Sequence, residues 1–127
     1  MLKQISTKDA PVAIGLYSQA IRCGDLLFTS GQISLDPKTG EVVGNDVAAQ
    51  AHMVLKNLGA VLKAGGADFD SVMKTTCFLA DMADFAAFNE VYASYFTADP
   101  KPARSCIAAK GLPRGVLCEV EAVAAVK

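Results

Sequence analysis

Two hydrophobic periods alternate along this chain, and each change of period marks an element. In NDVAAQAHMVLKNLGAVLKAGG, residues 45–66, Val47, Ala51, Val54, Leu55, Leu58, Val61 and Leu62 fall on one stripe of a 3.6-residue period. That spacing predicts an amphipathic helix, capped by Asn45 or Asp46 and ended by Gly65-Gly66. A second helix is predicted from an Asp81 cap to about Phe96, with Phe85, Phe88, Tyr92, Tyr95 and Phe96 as its buried stripe. Between and around these helices the apolar residues cluster in short, β-branched runs. Residues 19–23 (QAIRC) and 26–30 (LLFTS), separated by Gly24-Asp25, predict a hairpin. Residues 72–79 (VMKTTCFL), 103–109 (ARSCIAA) and 117–126 (LCEVEAVAAV) predict three further strands, and a short one is expected near Lys3 to Ile5. DPKTGE, 36–41, reads as a turn, and KGLPRG, 110–115, joins the last two strands.

The order β-β-β-α-β-α-β-β lacks strict βαβ alternation, so the expected class is α+β, a six-stranded sheet with two helices. Two helices can cover only one face of such a sheet. Along the last strand, Cys118, Val120, Ala122, Ala124 and Val126 point one way, suited to lie beneath helices. Leu117, Glu119, Glu121, Val123 and Ala125 point the other way, and Arg104 shares a face with Cys106 in the preceding strand. The helix-free face is therefore expected to mix apolar residues with Glu119, Glu121 and, on one assignment of the strand's face, Arg104. An apolar face carrying charges suggests an oligomer interface with a site in it.

Composition narrows the classes. The chain of 127 residues fits one domain over 1–127, with no repeat, linker or low-complexity tract, and can build a core without staples. Apolar residues at 52% and charged ones at 20% argue against disorder. A net charge of −1 gives no field to attract nucleic acid or anionic lipid. The start, MLKQISTKDAP, has no signal-peptide core, and no run of apolar residues is long enough to span a membrane, so a cytoplasmic protein is expected. Cys23, Cys77, Cys106 and Cys118 form no CxxC and do not sit beside the only histidine, His52, so no metal site is expected. Three of the four read as small buried hydrophobes, and free thiols fit a reducing compartment.

The candidate chemistry centres on Arg104. A guanidinium in an apolar strand requires an anion, because an isolated buried charge is very costly, and its planar fork suits a carboxylate. Spacing alone favours a structural pair with a glutamate and leaves a ligand carboxylate as the alternative. Glu119 could position water or shuttle a proton, or could with Glu121 be a solvated or salt-bridged edge residue. Asn89 stands near the apolar stripe of the second helix, where an amide needs partners and most simply ties down a nearby loop. Tyr17, in GLYSQ, and Gly31, in TSGQ, read as a packing tyrosine and a turn glycine, or as ligand contacts. His52 reads as a partly exposed helix residue. Nothing matches a phosphate loop, GxGxxG or GxSxG.

Taken in order, APVAIGLYSQA (10–20), FTSGQISLDPKTGEVV (28–43), VMKTTCFLADMADFAAFNEVYASYF (72–96), PARSCI (102–107) and EVEAVA (119–124) resemble the RidA/YjgF family of enamine/imine deaminases. The resemblance implies a chorismate-mutase-like fold, assembled as a homotrimer whose sheets form a central barrel with sites between subunits. It implies that Arg104 grips the carboxylate of a small 2-imino acid and Glu119 orients water. Tyr17, Ser30, Gly31, Asn89 and Cys106 would line the pocket, with no metal or organic cofactor. Three positions depart from the family pattern: Leu16 replaces a common proline, Ile107 and its successors replace an acidic residue, and Cys118 replaces a branched aliphatic. The alternatives are a carboxylate-binding regulatory module without turnover and a translation inhibitor or endoribonuclease, the latter at odds with the charge and the single histidine.

Overall fold

The computed structural model describes residues 1–127. Its strands are β1 (Leu2–Ile5), β2 (Ala20–Cys23), β3 (Leu26–Thr29), β4 (Val72–Leu79), β5 (Ala103–Ala108) and β6 (Cys118–Ala125). The helices are α1 (Val47–Ala64) and α2 (Phe85–Tyr95). The strands form one six-stranded sheet in the order β1-β2-β3-β6-β4-β5. Only β4 and β5 run parallel, because α2 carries the chain back between them, and every other neighbour is antiparallel.

Both helices pack on one face of the sheet, as the element count requires. The predicted stripe of α1 is buried throughout, and it meets Leu27, Val120, Ala122 and Ala124 in a single apolar cluster. The small residues at 122 and 124 let the helix approach the sheet closely. Asp46 caps α1, accepting a hydrogen bond from the Ala49 amide, and Gly65 closes it by donating to the carbonyls of its last turn. Asp81 departs from expectation. It caps a short 3-10 turn, Met82–Asp84, and α2 itself begins at Phe85.

The opposite face has no helix and carries Leu26, Phe28, Glu119, Glu121, Val123, Lys74, Thr76, Phe78, Ser105 and Ile107 in register. Arg104 is not among them. In the ladder it stands opposite Thr75, which is fully buried under α2, so its side chain lies on the helix-covered face at the sheet edge. The cysteine expectation is also corrected: all four are free, but only Cys77 and Cys118 are buried, while Cys106 is half-buried at the edge and Cys23 is exposed where its strand ends at the hairpin turn. No helix is long and apolar enough to cross a membrane.

Candidate active site

The sequence places Phe85, Asn89 and Tyr92 at i, i+4 and i+7 on α2, so they share one helical face. That face overhangs β5, and Arg104 fills the gap. Its Nη1 donates to Asn89 Oδ1 at 2.7 Å. Its Cζ lies 4.6 Å from the Tyr92 ring centroid and 5.5 Å from that of Phe85. Tyr92 is fixed in turn by a 2.8 Å hydrogen bond between its hydroxyl and Thr75 Oγ1. The expected Arg–Glu pair does not form. The only salt bridges are Lys101–Asp99 and Lys127–Asp68, so the Arg104 charge meets a neutral amide and two ring faces. The amide of Asn89 ties down this guanidinium, not the backbone of a loop. Asn89, Tyr92, Phe96, Lys101, Pro102 and Arg104 enclose a concavity of about 520 Å³.

Glu119 belongs to the other face. β6 is a central strand, so Glu119 is no solvated edge residue; it is half-buried and joins no salt bridge. Gln32 and Val120 exchange backbone hydrogen bonds of 2.9 and 3.2 Å, which lays Gly31 alongside Glu119. The fit leaves no room for a side chain: a Cβ on Gly31 would come within 1.9 Å of Glu119 Oε2. Burial pushes the Glu119 carboxyl above the ordinary glutamate value, and the charge of Glu121 adds to the effect.

Tyr17, Ser30, Gly31 and Glu119 line one cavity of about 530 Å³. The Ser30 hydroxyl donates to the Ser18 carbonyl at 2.6 Å and its amide to the Gln19 carbonyl at 2.9 Å, so Ser30 anchors the segment that bears Tyr17. The Tyr17 hydroxyl accepts from the Ile14 amide at 3.4 Å. Leu16 beside it is fully exposed.

Three groups in or beside the two cavities escaped the sequence reading. Gln19 is buried, and its amide nitrogen donates to the carbonyls of Thr7, Ala10 and Pro11 while its oxygen accepts from the Thr7 amide. Arg114 lines the Glu119 cavity from the KGLPRG turn. Tyr92 looked like core alone, although its spacing to Asn89 was the available signal. Cys106 stands two residues beyond Arg104, opposite Cys77, packed against the core and lining neither cavity. Burial raises its thiol pKa, with Arg104 opposing, which disfavours the thiolate a nucleophile needs. No cluster of three or more His, Cys, Asp or Glu side chains could hold a metal ion.

Thus Tyr17, Ser30, Gly31 and Glu119 meet at one place and Asn89 and Arg104 at another. The family described as Endoribonuclease L-PSP matches residues 7–126. The mouse 2-iminobutanoate/2-iminopropanoate deaminase is 49% identical over 122 residues, covering 96% of this chain and 90% of the mouse protein. Escherichia coli TdcF, solved with bound serine, is 42% identical with a TM-score of 0.92, covering 98% of this chain and 99% of that one. RidA from the Antarctic bacterium Psychrobacter sp. PAMC 21119 is 36% identical with a TM-score of 0.93, covering 98% and 99%. Matched in sequence and fold over nearly its whole length, the chain belongs to the RidA/YjgF family.

Proposed function

We propose that this protein is an enamine/imine deaminase that hydrolyses 2-iminobutanoate and 2-iminopropanoate, formed from 2-aminocrotonate and 2-aminoacrylate, to 2-oxo acids and ammonia. The observation that carries the reading is the seat of Arg104, a guanidinium oriented by Asn89 and two rings with no carboxylate of its own chain to neutralise it. Such a fork binds a substrate carboxylate through two parallel hydrogen bonds. The activity named for the mouse relative and the amino acid bound in the TdcF structure support a small carboxylate ligand.

The site is completed between subunits of a homotrimer. Arg104 and Glu119 sit on opposite faces, so one chain cannot present both to one small molecule. Packing the helix-free faces together, with the β5 edge of one subunit against the Tyr17–Glu119 cavity of the next, brings them together. Leu26, Phe28 and Ile107, which are 42, 47 and 51% exposed on and around that face, supply apolar surface for the contact.

In the assembled cleft, Arg104 holds the carboxylate and sets the C=N bond beside a water at Glu119. Glu119 takes a proton from the water as the water oxygen bonds to the imine carbon, and passes that proton to the nitrogen. The carbinolamine then collapses: its hydroxyl proton passes through Glu119 to the nitrogen, the C–N bond breaks, ammonia leaves, and a C=O bond forms. One imine and one water give one 2-oxo acid and one ammonia. Gly31 leaves space at the carboxylate, while Tyr17 and Ser30 shape the wall. Cys106 supports the strand of Arg104 and is not a nucleophile.

The test couples threonine dehydratase, which generates 2-iminobutanoate, to trapping by semicarbazide. Wild-type protein is expected to suppress the semicarbazone, and Arg104→Ala to lose about a hundredfold in kcat/KM. Equal trapping with and without wild-type protein rejects turnover and favours a binding module. The RNA-directed reading has less support, because His52, the one histidine, bonds the Tyr95 hydroxyl at 3.1 Å and lines neither cavity.

A further inference from the structure

Arg114 is the only residue other than glycine whose backbone enters the left-handed region, at φ 58°. Side chains disfavour that conformation, and such outliers gather where a chain is held for function. Here Arg114 lines the Glu119 cavity, and its Nη1 donates to the Gly40 carbonyl at 3.0 Å. This bond ties the KGLPRG turn to the DPKTGE turn. No carboxylate pairs with Arg114, and a single bond to a neutral carbonyl leaves most of its donors free. Ile14, Ile33, Leu35 and Pro113 give the same cavity an apolar part of its lining.

We propose that Arg114 selects imino acids carrying a second carboxylate on the side chain, the imines of acidic amino acids. This rests on the deaminase reading, in which Arg104 takes the carboxylate next to the imine. A second cation, fixed on the loop side of the Glu119 cavity, then faces the far end of the ligand. The apolar wall accommodates the methylenes between, and about 530 Å³ gives room for them. A monocarboxylic substrate leaves the Arg114 fork to solvent.

Isothermal titration calorimetry of the full chain with 2-oxoglutarate and 2-oxobutanoate, the 2-oxo acids of a dicarboxylic and a monocarboxylic imine, tests the assignment. Wild type is expected to bind 2-oxoglutarate at least about tenfold more tightly. Arg114→Met is expected to bring that ratio close to one, whatever happens to each affinity, and Arg114→Lys to retain part of it as a point charge. Arg114→Gly, which removes the backbone strain, is expected to lose the preference equally and covers the case in which the Met variant misfolds. A wild-type ratio near one, or a preference that survives in Arg114→Met or Arg114→Gly, overturns the proposal. Semicarbazide trapping with each imine separates the two readings. A ratio that depends on Arg114 without turnover rejects the deaminase reading alone, and turnover without the ratio rejects the role of Arg114 alone.

Discussion

Arg104 and Glu119 stand on opposite faces of one β-sheet. Arg104 is opposite Thr75 beneath α2, whereas Glu119 is opposite Phe78 on the face that has no helix. One small ligand can meet both only if they come from different subunits.

This makes complementation a direct check. Arg104→Ala and Glu119→Gln are each expected to be nearly inactive. Co-expressed with different tags and purified as mixed trimers, they are expected to regain activity. In a trimer that contains both variants, about one of the three sites combines an intact Arg104 with an intact Glu119. Mixed trimers with no more activity than either parent would rule out a site shared in this way.

Gly31 tests the contact with Glu119 by space alone. A methyl group would stand 1.9 Å from Oε2, so Gly31→Ala must displace the carboxylate. The expected result is a loss of about a hundredfold in kcat, comparable to that of Glu119→Gln, with little change in the thermal midpoint. Full activity in Gly31→Ala would show that the carboxylate need not occupy this place.

The raised pKa of Glu119 has a thermodynamic consequence. The folded state favours the protonated form, because burial disfavours the charge and Glu121 repels it. Its contribution is fully present below the unfolded glutamate value and is lost as pH rises through the folded one. Glu119→Gln is therefore expected to raise the thermal midpoint at pH 7, and the gain is expected to shrink as pH falls through the raised folded value and to be gone below the ordinary glutamate value. The acid limb of the pH–rate profile should correspondingly lie above that range. A midpoint difference between variant and wild type that is the same from pH 3 to 8 would contradict this.

Cys77 and Cys118 are sealed in the core, and burial pushes both thiols up to about 12. Alkylation by iodoacetamide at pH 8, followed residue by residue with mass spectrometry, is expected to reach these two only as fast as the protein unfolds. Labelling at the rate of free cysteine in the native protein would show that this part of the core opens locally.

Much of the fold was legible before any coordinates. The stripe on α1 contains enough large aliphatics to fix both the helix and its buried face. The alternation along β6 separates Cys118, Val120, Ala122 and Ala124 from Glu119 and Glu121 with a period that only a strand satisfies. PARSC and the glutamate-bearing last strand, with the SGQ segment, carried the family resemblance. What the sequence left open was the side of the sheet on which Arg104 lies. Alternation in β5 says that Arg104 and Cys106 share a face, but not which one. That choice depends on register against β4, a contact between strands separated by the whole of α2.

Local sequence determined elements, turns and the need of Arg104 for a partner, because periodicity, capping and desolvation act over a few residues. Tertiary structure alone decided that the partner is Asn89 with two aromatic rings, that Gly31 borders Glu119, and that Arg114 reaches Gly40. Those relations are set by strand order and close packing, which join residues that no short-range pattern links.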